Sequence, residues 1–142
     1  MSVLLPVRDG MPHLPAALAS LGRQTLADHE VVAVDDGSTD GSSVVLDAQA
    51  ARDSRVRVLH RPLLGLVEAL NAGLAACRAP LVARMDADDV AHPRRLELQL
   101  ELLATRPQVG VVSCRVRHVP RSRVAGGLRR YEAWLNSLLD PA

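Results

Sequence analysis

Two acidic segments carry the residues best suited to chemistry. Asp35-Asp36-Gly37-Ser38-Thr39-Asp40-Gly41 follows the apolar run Glu30 to Val34, and Asp86-Ala87-Asp88-Asp89 follows Leu81 to Met85. Carboxylates two apart in a turning segment can face the same side. Hard oxygen donors in that arrangement suit Mg²⁺ or Mn²⁺ held jointly with a diphosphate. The bland reading of Asp86 to Asp89 is a set of capping acids before a helix, and Asp89 can cap while Asp86 and Asp88 serve a ligand. The glycines, Ser38, Thr39 and Asp40 read first as a turn, with Asp40 or Ser42 capping the next helix. Asp35 and Asp36 are harder to dismiss, because a carboxylate at a strand end can accept a hydrogen bond from a base imide or from ribose hydroxyls.

Composition narrows the rest. The 142 residues suit one packed domain, and all 17 basic residues are arginine against 16 acidic ones, a formal charge of +1. With no lysine, neither a P-loop nor a Schiff-base cofactor site can be built in its usual form. The same absence counts against a receiver or dehalogenase-like phosphoryl site, both of which use a lysine. Tyr131 and Trp134 are the only aromatics. Without a basic field or a stacking platform, a nucleic-acid partner is not expected. Cys77 and Cys114 stand alone, and the five histidines show no metal-ligand spacing. No apolar run reaches the roughly 20 residues of a membrane span. The expectation is a cytoplasmic chain, peripheral at most to the inner membrane face. Arginine in place of lysine, with an alanine-rich and isoleucine-free core, points to a bacterium with a G+C-rich genome.

The acidic segments must be positioned by the elements around them. Ser2 to Val7, Glu30 to Val34, Val56 to His60, Leu81 to Met85 and Val109 to Cys114 read as strands buried on both faces. Between them, His13 to Leu21, Ser42 to Asp53, Leu66 to Cys77 and Pro93 to Thr105 read as helices. In the last, Leu96, Leu98, Leu100 and Leu102 alternate as in a strand, but helix formers and Pro93 at the start favour a helix. Pro120 to Gly127 reads as a loop, and Leu128 to Leu139 as an amphipathic helix with Leu128, Tyr131, Leu135 and Leu138 on one face. The alternation predicts an α/β fold, a Rossmann-like, mostly parallel sheet with helices on both faces. Ligands of such sheets bind beyond the carboxyl ends of the strands, where both acidic segments lie.

Together, SVLLPVRDG, VVAVDDGSTDGS, GLVEALNAGLAACRAPLVARMDADD and HPRRLELQLELL resemble, in order and spacing, the amino-terminal half of a family 2 glycosyltransferase with the GT-A fold. The resemblance runs from about Ser2 to Cys114, and the pairing of DDGSTDG with ARMDADD is its specific part. It implies an inverting enzyme that moves a sugar from a nucleotide diphosphate sugar, a UDP-sugar first, to the hydroxyl of a glycan or lipid-linked acceptor in polysaccharide or glycoconjugate synthesis. It implies a metal, Mn²⁺ or Mg²⁺, on Asp86 and Asp88, and a base contact at Asp35. Pro6, Val7, Arg8 and Asp9 would line the nucleotide pocket with Gly37, Asn71 and Asp86. The segment holding Gly65, Ala69, Asn71 and Gly73 would pack behind it. Leu70 stands where many relatives carry arginine.

No acidic pair follows Cys114, and Glu132 is the one glutamate there, on a helix read as surface. The expectation is therefore a single donor-binding domain over 1–142 without the acceptor-side part, its catalytic base unassigned. A nucleotide-binding module without turnover is the alternative. The uncovered face of the last helix predicts self-association, as a homodimer.

Overall fold

The computed structural model describes residues 1–138. Leu139, the end of the helix expected from Leu128, and residues 140–142 lie outside the described residues. The chain forms two compact units, one spanning Met1–Glu97 and one beginning at Leu98.

The first unit is a parallel sheet in the order β3-β2-β1-β4, built from β1 (Ser2–Val7), β2 (Glu30–Asp36), β3 (Val56–Arg61) and β4 (Val82–Arg84). All three pairings are parallel. The helices α1 (Leu14–Gly22), α2 (Ser42–Arg52) and α3 (Leu66–Ala76) intervene between successive strands, and α4 (Arg95–Thr105) begins in this unit. Every residue of β1 is buried, as a central parallel strand requires.

The two faces of the sheet sort by the period of two. Val3, Leu5, Val7, Val31 and Ala33 pack with Leu14, Leu18, Leu21, Leu46 and Leu96. Leu4, Val32 and Val34 pack with Ala69 and the neighbouring α3 residues. At Gly73, α3 comes so close to the sheet that an added Cβ would lie 2.1 Å from Leu4 Cδ1 and 2.8 Å from Val34 Cγ2.

β4 is shorter than the expected Leu81 to Met85. Its ladder direction is nonetheless continued by the hydrogen bonds Ser2 N–H to Leu81 O (2.9 Å) and Met85 N–H to Leu4 O (3.0 Å). The helix at Arg95–Thr105 replaces the alternating pattern of its leucines, of which Leu96 alone is buried. It starts six residues after Asp89, too far for that carboxylate to be its cap; the Arg94 N–H is instead 3.2 Å from His92 Nδ1.

In the second unit, the strand expected at Val109 to Cys114 does not form. β-favouring side chains report a fit to a pleated surface, and without a ladder the run stays irregular. A short 3₁₀ turn, Arg121–Arg123, precedes α5 (Gly126–Ser137). Glu132 is buried rather than on the surface. It accepts hydrogen bonds from the His118 N–H (2.7 Å) and Arg121 Nη1 (2.6 Å), and His118 Nδ1 is 3.0 Å away. These hold its carboxyl well below the ordinary range, at about 2, the His118 backbone N–H having the largest effect.

Candidate functional site

Beyond the carboxyl ends of β1, β2 and β4 lies a cleft of about 500 Å³. The end of β1 and the loop after it contribute Pro6, Val7, Arg8, Asp9, Gly10, Met11 and His13. The end of β2 contributes Asp36, α3 contributes Leu66 and Ala69, and the end of β4 contributes Arg84, Asp86, Ala87 and Asp88. Pro6, Val7, Arg8, Asp9, Asp86 and Asp88 thus meet on one cavity, as the resemblance implied. Asp35, Gly37 and Asn71 are not among its lining residues.

Adjacent residues of a strand point to opposite faces, and this separates Asp35 from Asp36. Asp35 follows the parity of Val31 and Ala33, toward α2. Its carboxylate, 3% exposed with its residue, accepts from the Ser38 N–H (3.0 Å) and the Ser43 hydroxyl (2.5 Å) and lies 3.1 Å from His60 Nδ1. Burial alone would raise this carboxyl, but the hydrogen bonds from Ser38, Ser43 and His60 outweigh it and keep the group below its ordinary value. His60 is also clamped from its other side, with Nε2 2.9 Å from Asp47 Oδ1. Asp47 first and Asp35 second raise the His60 pKa.

Asp36 follows the parity of Val32 and Val34, toward α3 and the cleft. Its two oxygens accept from the Leu64 and Gly65 N–H groups, both at 2.9 Å, and so hold the segment that leads into α3. Gly37 supports the same turn from behind. Its φ is +71°, and a Cβ there would come within 3.0 Å of Leu63 N. Asn71 is exposed, two residues beyond Ala69 and hence about 200° around the helix from the cleft side of α3.

The two carboxylates after β4 differ. Arg84 grips Asp86 with Nε to Oδ1 at 3.1 Å and Nη2 to Oδ2 at 3.3 Å. Asp88 is exposed to the cleft and makes no hydrogen bond or ion pair among the described residues. No three His, Cys, Asp or Glu side chains among the described residues group into a metal site of their own. Two carboxylates beside an open cleft are the donor set of a Mg²⁺ or Mn²⁺ that takes its remaining oxygens from a diphosphate and water. The site residues fit such an ion.

The resemblance implies the base contact at Asp35, whereas Asp36 is the member of the pair that lines the cleft. His13 and Leu66 carry no sequence signal for the cleft, because only the packing of α3 and the start of α1 brings them there, and Ala69, expected behind the pocket, lines it. No helix among the described residues is long and apolar enough to cross a membrane.

The family model for glycosyl transferase family 2 matches residues 2–139. The amylovoran biosynthesis glycosyltransferase AmsE of Erwinia amylovora is 43% identical over 114 residues, covering 76% of this chain and 42% of that protein. The uncharacterized glycosyltransferase EpsJ of Bacillus subtilis is 33% identical over 114 residues, covering 80% of this chain and 33% of that protein. The mannosyltransferase PcManGT of Pyrobaculum calidifontis, solved with GDP-Man and Mn²⁺, superposes with a TM-score of 0.75 at 28% identity, over 82% of this chain and 35% of that one. Staphylococcus aureus TarS, solved with UDP-GlcNAc, shares the fold at a TM-score of 0.69 and 23% identity, over 85% of this chain and 37% of that one. The chain spans about a third of the length of EpsJ and of PcManGT. With an α/β parallel sheet, a cleft at its strand ends and a family match over nearly its whole length, the chain belongs to glycosyl transferase family 2 and has the GT-A fold.

Proposed function

We propose that the cleft binds the nucleoside diphosphate part of a nucleotide sugar, a UDP-sugar first, and that the protein transfers the sugar with inversion to a hydroxyl of a glycan or lipid-linked acceptor. The observation that carries this reading is the meeting of Asp88, Asp86, Arg8 and Asp36 on one cavity at the strand ends. PcManGT was solved with a nucleotide sugar and Mn²⁺, which supports the same class of donor and metal for this chain.

In this reading Asp88 and Asp86 hold Mn²⁺ or Mg²⁺, which when bound stabilises the charge that develops on the leaving diphosphate. Asp36 has lone pairs left after holding Leu64 and Gly65, and we assign it the base imide or ribose contact in place of Asp35. Pro6 and Val7 line the cleft, and Gly37 shapes the turn that carries Asp36. No described residue is assigned the removal of the acceptor's proton: Glu132 is held by His118 and Arg121.

We further propose that the chain self-associates through α5, where Leu128, Tyr131, Trp134 and Leu138 are exposed.

Calorimetry of UDP and GDP with Mn²⁺ and with excess chelator tests the donor reading. Tighter binding with metal is expected, and equal affinity in chelator overturns the metal role.

A further inference from the structure

Three consecutive backbone N–H groups after β1 are all taken by side chains of the segment after β2. Asp9 N–H donates to Ser38 Oγ at 3.0 Å, Gly10 N–H to Ser42 Oγ at 2.9 Å, and Met11 N–H to Asp40 Oδ2 at 2.8 Å. The return contact is from Thr39, whose N–H donates to Asp9 Oδ1 at 2.7 Å with its hydroxyl 3.3 Å from the same oxygen. Asp40 Oδ1 in turn accepts from the Ser42 N–H (3.0 Å) and hydroxyl (2.6 Å). The contacts between the two segments join residues 29 to 32 apart in sequence, so they are more than the local hydrogen bonds of a turn.

Two consequences follow. Successive free N–H groups in a loop can form a concavity that binds anions. Here all three are occupied, so this loop offers a diphosphate no N–H from Asp9, Gly10 or Met11. What it does offer is Arg8, which lines the cleft and makes no hydrogen bond or ion pair among the described residues. Arg84, the other arginine of the cleft, is already committed to Asp86. In addition, Asp9 has a φ of +46°, a left-handed conformation that L side chains adopt rarely and that surrounding contacts must maintain. The backbone turns at Asp9, directly after Arg8, and Thr39 holds that turn.

We propose that the Ser38–Ser42 segment is a latch, made of positioning residues, that fixes the turn at Asp9 and so aims Arg8 at the diphosphate of the donor. This rests on the donor reading above and deepens it: the diphosphate is met by a side-chain cation and a metal, not by backbone amides.

The test is calorimetry of UDP, GDP and uridine, the nucleotides with Mn²⁺, on the whole 142-residue chain. The variants are Asp40→Ala, Asp40→Asn, Arg8→Ala and the double variant Arg8→Ala with Asp40→Ala. Asp40 is exposed and outside the cleft lining, and circular dichroism with melting temperature checks each fold. Arg8→Ala is expected to weaken the preferred nucleoside diphosphate about tenfold and Asp40→Ala roughly fivefold, with the double variant no weaker than Arg8→Ala alone, because coupled residues are not additive. Asp40→Asn, which keeps an acceptor oxygen, recovers most of the loss, and uridine affinity does not change. Additive losses, an equal loss for uridine, or full affinity in Asp40→Ala would overturn the latch while leaving the donor reading intact. A wild-type chain that binds neither nucleotide with Mn²⁺ would overturn the donor reading and the latch with it.

Discussion

Arg84 neutralises Asp86 across the fork of its guanidinium and thereby leaves Asp88 as the uncommitted carboxylate of the pair. The two carboxylates of one motif are therefore unequally free to take a new partner. Asp88→Asn is expected to lower the affinity for UDP or GDP with Mn²⁺ at least tenfold, about 1.4 kcal/mol, and to remove most of the difference between metal and chelator. Asp86→Asn should cost less, because its charge is already partly offset. Calorimetry that ranks the two variants the other way would reverse the assignment.

His60 predicts a pH dependence of stability. Its pKa is raised above 6.5 in the folded chain by Asp47 and Asp35, so the stabilisation is fully present below about pH 6.5 and is lost as pH rises through the raised value. The side chain is half exposed, which limits the effect to about 0–1 kcal/mol. The melting temperature should fall slightly between pH 6 and pH 8.5, and His60→Gln should flatten that slope. A slope unchanged in the variant assigns it to other groups.

Glu132 predicts the opposite sign in the second unit. Its carboxyl titrates near 2 in the folded chain against 4.5 ordinarily, so its contribution is present above pH 4.5 and disappears as pH falls toward 2. Glu132→Gln should reproduce the acid effect at neutral pH. The measurement is amide exchange at His118, which should quicken in the variant; unchanged protection there would leave Glu132 without a role in holding the loop.

Gly73→Ala tests the approach of α3 to the sheet. The new methyl would meet Leu4 and Val34, and overpacking of this kind costs about 1–3 kcal/mol. Combining it with Leu4→Val should restore part of the melting temperature. A neutral Gly73→Ala would mean that α3 can shift outward.

The exposed face of α5 predicts concentration-dependent association. Tyr131 and Trp134 pack with ring centroids 5.7 Å apart and planes tilted by 36°, and both are more than half exposed. Sedimentation should show a species larger than the monomer, with a change in Trp134 fluorescence on dilution. A clean monomer at all concentrations removes the proposal of a homodimer.

Much of the sheet was legible in the sequence because β1 and β2 are continuous, β-favouring apolar runs ending in turn residues, a pattern that suits buried parallel strands. Arg8, Asp9, Asp86 and Asp88 come to the cleft because each stands just after the end of a buried strand, a placement visible in the apolar runs that precede them. The distinction between Asp35 and Asp36 was not. Two identical residues in succession differ only in which face of the sheet they join, and that is set by the pairing with β1 and β3 and by the placement of α3. Val109 to Cys114 failed differently: its residue types suit a strand, but a strand also needs a partner ladder, which composition does not reveal. Glu132 looked like a surface residue because its three partners, two on His118 and one on Arg121, are brought to it by a loop without any periodic signal.

The position of β1 between β2 and β4 has a consequence for how such a cleft can diversify. Asp36 and the start of α3 stand on one flank, Asp86 and Asp88 on the other, and the loop after β1 lies between them. Under the donor reading proposed above, substitutions on the β2 flank are expected to alter the nucleoside preference and to leave the metal dependence unchanged.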